Sequence, residues 1–257
     1  MVGEINQEQV REVFIAYTDG YNSDDEKIIL KIEHTYRVAE LSMKIAQNLE
    51  MLTKDVKLAW LIGMLHDIGR FEQIRRYGTF EDAKSVSHAK LGVEILFDDG
   101  VLGEFSQLDC NDKEVLQKAI LYHSDYKMPA DLSDRELLFC NIIRDADKID
   151  ILKVVYESSP EVIYGVSEEL LKKEDISDDV MKCFDERNAV FRPLRKSHID
   201  NIVGYASFVY ELVYAESRRL CDEQGYIWKI LDFNSEHADV NNKMTYMKEQ
   251  LVRFLKE

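Results

Sequence analysis

The chain has 257 residues, 46% of them hydrophobic, which is ample for a buried core and excludes a disordered chain. Its formal charge of −16 and pI near 4.9 exclude a general surface for nucleic-acid polymers or anionic membranes, because phosphate backbones are held by clustered Lys and Arg. Three prolines and 11 glycines, with abundant Glu, Lys and Leu, favour helix throughout, and no stretch alternates as a strand does.

The opening residues, Met1 to Glu8, are polar and acidic, unlike a signal peptide, and no uncharged run approaches the roughly 20 residues of a membrane span. Cys110, Cys140, Cys183 and Cys221 are widely spaced with no CxxC pair, the pattern of reduced thiols, so a cytoplasmic location is expected. Gln7 to Tyr17 is predicted as a helix with Val10, Val13, Phe14 and Tyr17 on one face and a stop at Asp19-Gly20. Asn22 to Asp25 caps a second helix, running to about Asn48, whose stripe His34, Val38, Leu41, Ile45, Leu49 has helical spacing.

Thr53 is the predicted N-cap of a central helix, with Asp55 in its first turn, Gly69 as its C-terminal cap and Arg70 as a cation at its negative end. From Trp60 this helix is apolar on every side until His66 and Asp67 appear together. Polar groups buried there are expensive unless compensated, and a divalent metal satisfies an imidazole and a carboxylate at once.

Arg70 to Lys84 follows as a polar segment in which Arg70, Arg75, Arg76 and Lys84 either face a phosphate or offset Glu72, Glu81 and Asp82; Arg70 and Arg75 are the preferred phosphate contacts. Ser85 or Ser87 starts a helix with His88, Leu91, Gly92, Ile95 and Leu96 on its apolar side, ended by Asp98-Asp99-Gly100. Asn111-Asp112 caps another, with Leu116, Ala119, Ile120 and His123 on one side. Ser133 and Glu136 form a capping box for a long helix with the stripe Cys140, Ile143, Asp147, Ile151, Val154.

After Ser158-Ser159-Pro160 the pattern changes, and the acidic run Ser167 to Asp179 reads as a solvated edge. Lys196 to Asp222 is predicted as one long amphipathic helix, with Ile199, Ile202, Tyr205, Val209 and Leu212 inward and Gly225 after its end; Val240 to Glu257 is the last helix. The expected organisation is a metal-binding core with its N-terminal helix over 1–160 and C-terminal helices over 161–257, packed on it as one structural unit.

His34, the His66-Asp67 pair and Asp147, each within an apolar helix, resemble the H…HD…D signature of the HD-domain superfamily of metal-dependent phosphohydrolases, over roughly residues 25 to 157. The resemblance implies an all-α fold, an HD-domain helical bundle with additional C-terminal helices. Some HD families hold one ion, while others add two histidines for a second, and His88 and His123 fall where that larger set would place them. Two divalent transition ions (Mn, Fe, Ni, Co or Zn) are therefore expected to share Asp67, with His34, His66 and Asp147 completing one and His88 and His123 the other. Asp147 is favoured as the last ligand because it follows Ala146, with Asp145 and Asp150 open as alternatives; Asp125, Asp145 and Asp150 are candidates to hold the second ring nitrogens of the histidines.

The implied reaction is hydrolysis of a small phosphate ester, a nucleotide or related phosphorylated metabolite, by metal-activated hydroxide; two ions ~3.5–4 Å apart acidify a bridging water and neutralise phosphoryl charge. His66, Asp67, Lys148 and Arg70 are its candidate catalytic residues, with Arg70, Arg75 and Lys148 on the substrate phosphate. Lys148 resembles a phosphate-contacting lysine of the triphosphohydrolase branch, or is a surface partner beside Arg144. Two other readings use the same residues: an HD-fold di-iron oxygenase, and a non-catalytic ligand-binding HD protein.

Overall fold

The computed structural model describes residues 4–22 and 24–257, and among them the regular structure is helical with no strand, the all-α class expected. Two compact units divide the chain, one ending at Asp147 and the other running Lys148–Glu257.

Several helices of the first unit start where the sequence offers an acceptor for otherwise unsatisfied amides. Asn6 Oδ1 accepts from Glu8 and Gln9 at 3.1 and 3.2 Å ahead of α1 (Gln7–Thr18). Asp25 accepts from Lys27 at 2.9 Å ahead of α2 (Glu26–Asn48); Ser23, part of the expected cap, lies outside the described residues. In α3 (Thr53–Leu65), Thr53 is already helical and Leu52 holds the cap position without a side-chain bond, so Thr53 is not the cap its sequence implied.

The central helix does not reach Gly69. It stops at Leu65, Asp67 takes φ −104° and ψ 14°, and the chain re-enters helix as α4 (Ile68–Tyr77), so the start of the expected polar segment is helical. Gly69 is a packing residue rather than a cap. A Cβ there would lie 2.2 Å from the His88 carbonyl oxygen and 2.6 Å from the Gly92 nitrogen, so its absence lets α4 meet α5 (His88–Val93) backbone to backbone. Gly63 does the same in α3, where a Cβ would sit 2.5 Å from Ala39 Cα on α2.

A short 3₁₀ turn, Asp82–Lys84, precedes α5, whose cap is Ser87 rather than Ser85, accepting from the Lys90 amide at 3.3 Å. A π-helical turn, Glu94–Asp98, and the short α6 (Leu102–Phe105) lead to α7 (Cys110–Tyr122). Its cap is Asp109, which accepts from Asp112 at 2.8 Å; Asn111 and Asp112, expected to be the cap, lie inside the first turn. The capping box of α8 (Asp134–Glu157) forms as expected, with the Ser133 amide donating to Glu136 at 2.7 Å and the Glu136 amide to Ser133 Oγ at 3.4 Å. Val38 and Ile45 of α2, Trp60, Leu61 and Met64 of α3, Phe71 of α4, Leu116 and Ile120 of α7 and Ile143 of α8 are all fully buried. No disulfide occurs among the described residues, and burial lifts the Cys140 thiol to about 12, leaving it un-ionised and without nucleophilic character at neutral pH.

In the second unit, α9 (Pro160–Tyr164), α10 (Glu168–Leu171) and α11 (Asp178–Asp185) are short. The single helix expected from Lys196 to Asp222 is broken into α12 (Asp200–Ser207), a 3₁₀ turn over Phe208–Glu211, and α13 (Ala215–Gln224). The late start has a local cause: the buried Asp200 carboxylate accepts from the amides of Ser177, Lys196 and Ser197 and from the Ser177 hydroxyl, holding Lys196 and Ser197 outside the helix. At the break, Leu212 is extended, and Arg218 donates to the released carbonyls of Leu212 and Val213 at 3.0 and 3.2 Å. Then α14 (Tyr226–Leu231) and α15 (Ala238–Phe254) complete the unit. No helix among the described residues is long and apolar enough to cross a membrane.

The Gly63 contact gives a direct test of the packing. Gly63→Ala forces a methyl into the α2 backbone, and overpacking of this kind costs ~1–3 kcal/mol or more. The midpoint of urea denaturation should fall accordingly; an unchanged midpoint would show that α2 and α3 are not this close.

Candidate metal centre

The break between α3 and α4 presents Asp67 to four histidines. His34 comes from the middle of α2, His66 from the residue after α3, His88 from the first turn of α5 and His123 from the residue after α7, while Asp147 lies within α8. Asp67 divides its carboxylate between two groups. Oδ2 lies 3.7 Å from His34 Nε2 and 3.6 Å from His66 Nε2; Oδ1 lies 3.5 Å from His88 Nε2 and 3.7 Å from His123 Nε2. Asp147 Oδ1 completes the first group at 3.1 Å from His34 Nε2 and 3.7 Å from His66 Nε2. His34, His66 and Asp67, His66, His123 and Asp147, and Asp67, His88 and His123 each bring their ligand atoms within 4.8 Å of one another. Asp147 joins one of these groups, and Asp145 and Asp150 join none.

The hydrogen bonds on the far side of each ring set what the near side offers. His66 Nδ1–H donates to the Gly63 carbonyl at 2.7 Å, His123 Nδ1–H to the Ile120 carbonyl at 2.7 Å, and His88 Nδ1–H to the Asp82 carboxylate at 2.7 Å. Those partners, rather than Asp125, Asp145 or Asp150, orient the three rings. Burial pulls the imidazoles of His66 and His88 down to about 4, so both are neutral at physiological pH. With Nδ1 protonated, each Nε2 carries a lone pair, and the His88 and His123 Nε2 atoms face each other at 3.0 Å.

Burial opposes ionisation of Asp67, yet the Lys31 ammonium and the Arg70 guanidinium hold its carboxyl well below the usual range; burial likewise opposes ionisation of Asp147, and His34, 3.1 Å away, keeps it low. The centre is therefore a concentration of lone pairs and negative charge in a nearly dry site. His66 Nε2 and Asp67 Oδ1 are buried without a hydrogen-bond partner. Such an arrangement is costly unless a cation stands among the acceptors, and an imidazole and carboxylate donor set fits a divalent transition metal.

Several positioning residues escaped the sequence reading. Asp82, read as one of the acids offsetting nearby cations, is the partner of His88; Gln73 Nε2 donates to Asp82 at 2.9 Å, and Arg70 donates to Asp82 at 2.8 Å. Arg144, buried in α8, donates to the carbonyls of Tyr122 and His123 at 3.1 and 3.3 Å and anchors the end of α7. Lys31 Nζ lies 2.6 Å from Asp67 Oδ2. Its only signal in the sequence was its place one turn before His34.

The cations expected at a phosphate are all engaged by acids. Arg70 sits at the centre itself, its Nε 3.5 Å from Asp67 Oδ1, and also bonds Asp82. Arg75 and Arg76 pair with Glu72, Lys84 with Glu81, and Lys148 with Glu211 at 3.1 Å. Lys148 is buried, not the surface residue its alternative reading supposed.

The HD-domain family model matches residues 32–152, the stretch that carries every one of these histidines and both aspartates. That stretch, a little under half of the chain, is similar to the HD-domain superfamily. Among characterised proteins it is similar to the 3'3'-cGAMP-specific phosphodiesterase 1 of Vibrio cholerae, 28% identical over 131 residues, which is 49% of this chain and 28% of that protein. The match thus spans under a third of that relative's length. No solved structure matches.

Asp82→Ala should leave the fold intact but release His88, lowering affinity for divalent metal by roughly 10–100-fold, the usual effect of removing a carboxylate behind a ligating histidine. Metal titration by calorimetry reads this out, and unchanged affinity would remove His88 from the ligand set.

Proposed function

We propose that the chain is a metal-dependent phosphohydrolase that cleaves a small phosphate ester, a nucleotide or related metabolite, at the Asp67 centre. The observation that carries the reading is the convergence of acceptor atoms: His34 and His66 beside Asp67 Oδ2, with Asp147 Oδ1 against the same two rings, and His88 and His123 beside Asp67 Oδ1. His34, His66, Asp67 and Asp147 would hold one ion and Asp67, His88 and His123 a second. Bound divalent ions would supply a water acidified to near-neutral pKa and charge stabilisation for phosphoryl oxygens.

The chain's own residues supply the rest of the chemistry. Asp67 orients both halves of the centre from one carboxylate, and the Gly63 and Ile120 carbonyls with Asp82 keep the imidazole lone pairs inward. Arg70, fixed by Asp82, Gln73 and the Phe80 carbonyl, holds a positive charge beside Asp67 where a substrate phosphate would approach. Burial of the four imidazoles and Asp67 keeps bulk water away and strengthens these interactions. Arg75 and Lys148 are secondary candidates for the phosphate, each of which would have to exchange its present carboxylate partner for the substrate. The similarity to a cyclic dinucleotide phosphodiesterase supports a nucleotide-type substrate and puts cyclic dinucleotides on the panel to be assayed, beside nucleotides and sugar phosphates.

Asp67→Ala should lose bound metal and reduce hydrolysis of a generic phosphodiester on the order of a thousandfold, the rate equivalent of ~4 kcal/mol of lost stabilisation. Metal analysis and an assay of the same preparation check both effects. Full activity in a metal-free Asp67→Ala protein would end this reading, and oxygen uptake by the wild type in place of hydrolysis would replace it with the oxygenase.

A further inference from the structure

Beside Arg70, a second positive charge stands directly against the other oxygen of Asp67. Lys31 Nζ lies 2.6 Å from Asp67 Oδ2, with the lysine side chain 16% exposed and the carboxylate 2% exposed. The contacted oxygen is the one shared with His34 and His66 at 3.7 and 3.6 Å, so the ammonium stands against the same acceptor that an ion in the His34–His66–Asp147 group would take. The other oxygen, Oδ1, faces His88 and His123 and has the Arg70 Nε at the longer distance of 3.5 Å. The two halves of the carboxylate therefore differ: one is held by a short ion pair, the other is buried without a hydrogen bond.

An ammonium and a dication placed on one buried carboxylate oxygen repel each other strongly, because low dielectric leaves the repulsion unscreened. A lysine has the means to yield. Its four-carbon stem is flexible, and Lys31 is near the edge of the site, with Nζ 5.8 Å from the centre of the Phe80 ring. We propose that Lys31 is a resident counter-ion that competes with a divalent metal for Asp67 Oδ2, so that filling the His34–His66–Asp147 half of the centre is an exchange of ammonium for metal. This rests on the metal reading of the centre above. The exchange breaks one ion pair and forms one metal–carboxylate bond, with no covalent step. It also gives the buried Asp67 a charge partner when no metal is bound, and it weakens one half of the centre relative to the other.

Titration of the full chain with Mn²⁺ by calorimetry, after chelation, tests this with Lys31→Met and Lys31→Arg beside the wild type. Lys31→Met should tighten the weaker binding step by about tenfold or more, as expected for removing a competing charge from a buried carboxylate. Its metal-free form should melt at a lower temperature than the wild type, since Asp67 has lost its counter-ion, and the gap should close in saturating Mn²⁺. Lys31→Arg, which keeps the charge, should stay near the wild-type affinity. Equal or weaker Mn²⁺ binding by Lys31→Met overturns the exchange while leaving the metal reading standing, and so does tightening by Lys31→Arg to the same degree. Absence of Mn²⁺ binding in all three proteins overturns both.

Discussion

The placement of one carboxylate governs the structure around it. Asp67 lies between two helices, in a backbone conformation that belongs to neither, and this single departure turns both of its oxygens toward histidines contributed by distant parts of the chain. Had α3 continued without interruption through Gly69, the carboxylate would follow the helical face and could not divide itself between His34 with His66 and His88 with His123. The polarity of the centre then follows from hydrogen bonds made outside it, because carbonyls and Asp82 take the Nδ1 protons and leave the Nε2 lone pairs inside.

Close helix packing is what makes that convergence possible. Imidazole side chains are short, so the backbones that carry them must approach each other. Gly63 allows α2 and α3 to do so, bringing His34 to His66, whose ring centroids lie 5.3 Å apart; Gly69 allows α4 to meet α5, bringing His88 to Asp67. The surrounding apolar core then raises the energetic stakes, since polar groups this deeply buried need either a partner or an ion. Stability and the proposed metal binding are thus coupled through one set of contacts: the packing that buries α3 also gathers the buried acceptors.

Much of this was legible in the residues. Helical periodicity placed His34, His88, His123 and Asp147 on apolar faces, and the capping box at Ser133 located the start of α8. Local signals misled where tertiary contacts decide. Gly69 reads as a helix cap, because sequence does not show that His88 and Gly92 will press against it. Lys196 to Asp222 has the spacing of one helix, and only the fold reveals that Asp200 gathers three amides and a hydroxyl from two segments. Asp82 and Lys31 were hidden for a related reason. Each looks like a surface charge in its own stretch, and each gains its meaning from His88 or Asp67, contributed by another element.

The central proposal is that Asp67 lies between two cation sites rather than beside one. Anomalous diffraction from crystals grown in saturating Mn²⁺ measures this most directly. Two peaks on either side of the Asp67 carboxylate, one within bonding distance of His34, His66 and Asp147 and one within bonding distance of His88 and His123, are the result expected. A single peak, with the His88 and His123 nitrogens more than about 5 Å from it and so far outside the ~2.0–2.1 Å of an imidazole ligand, would contradict it.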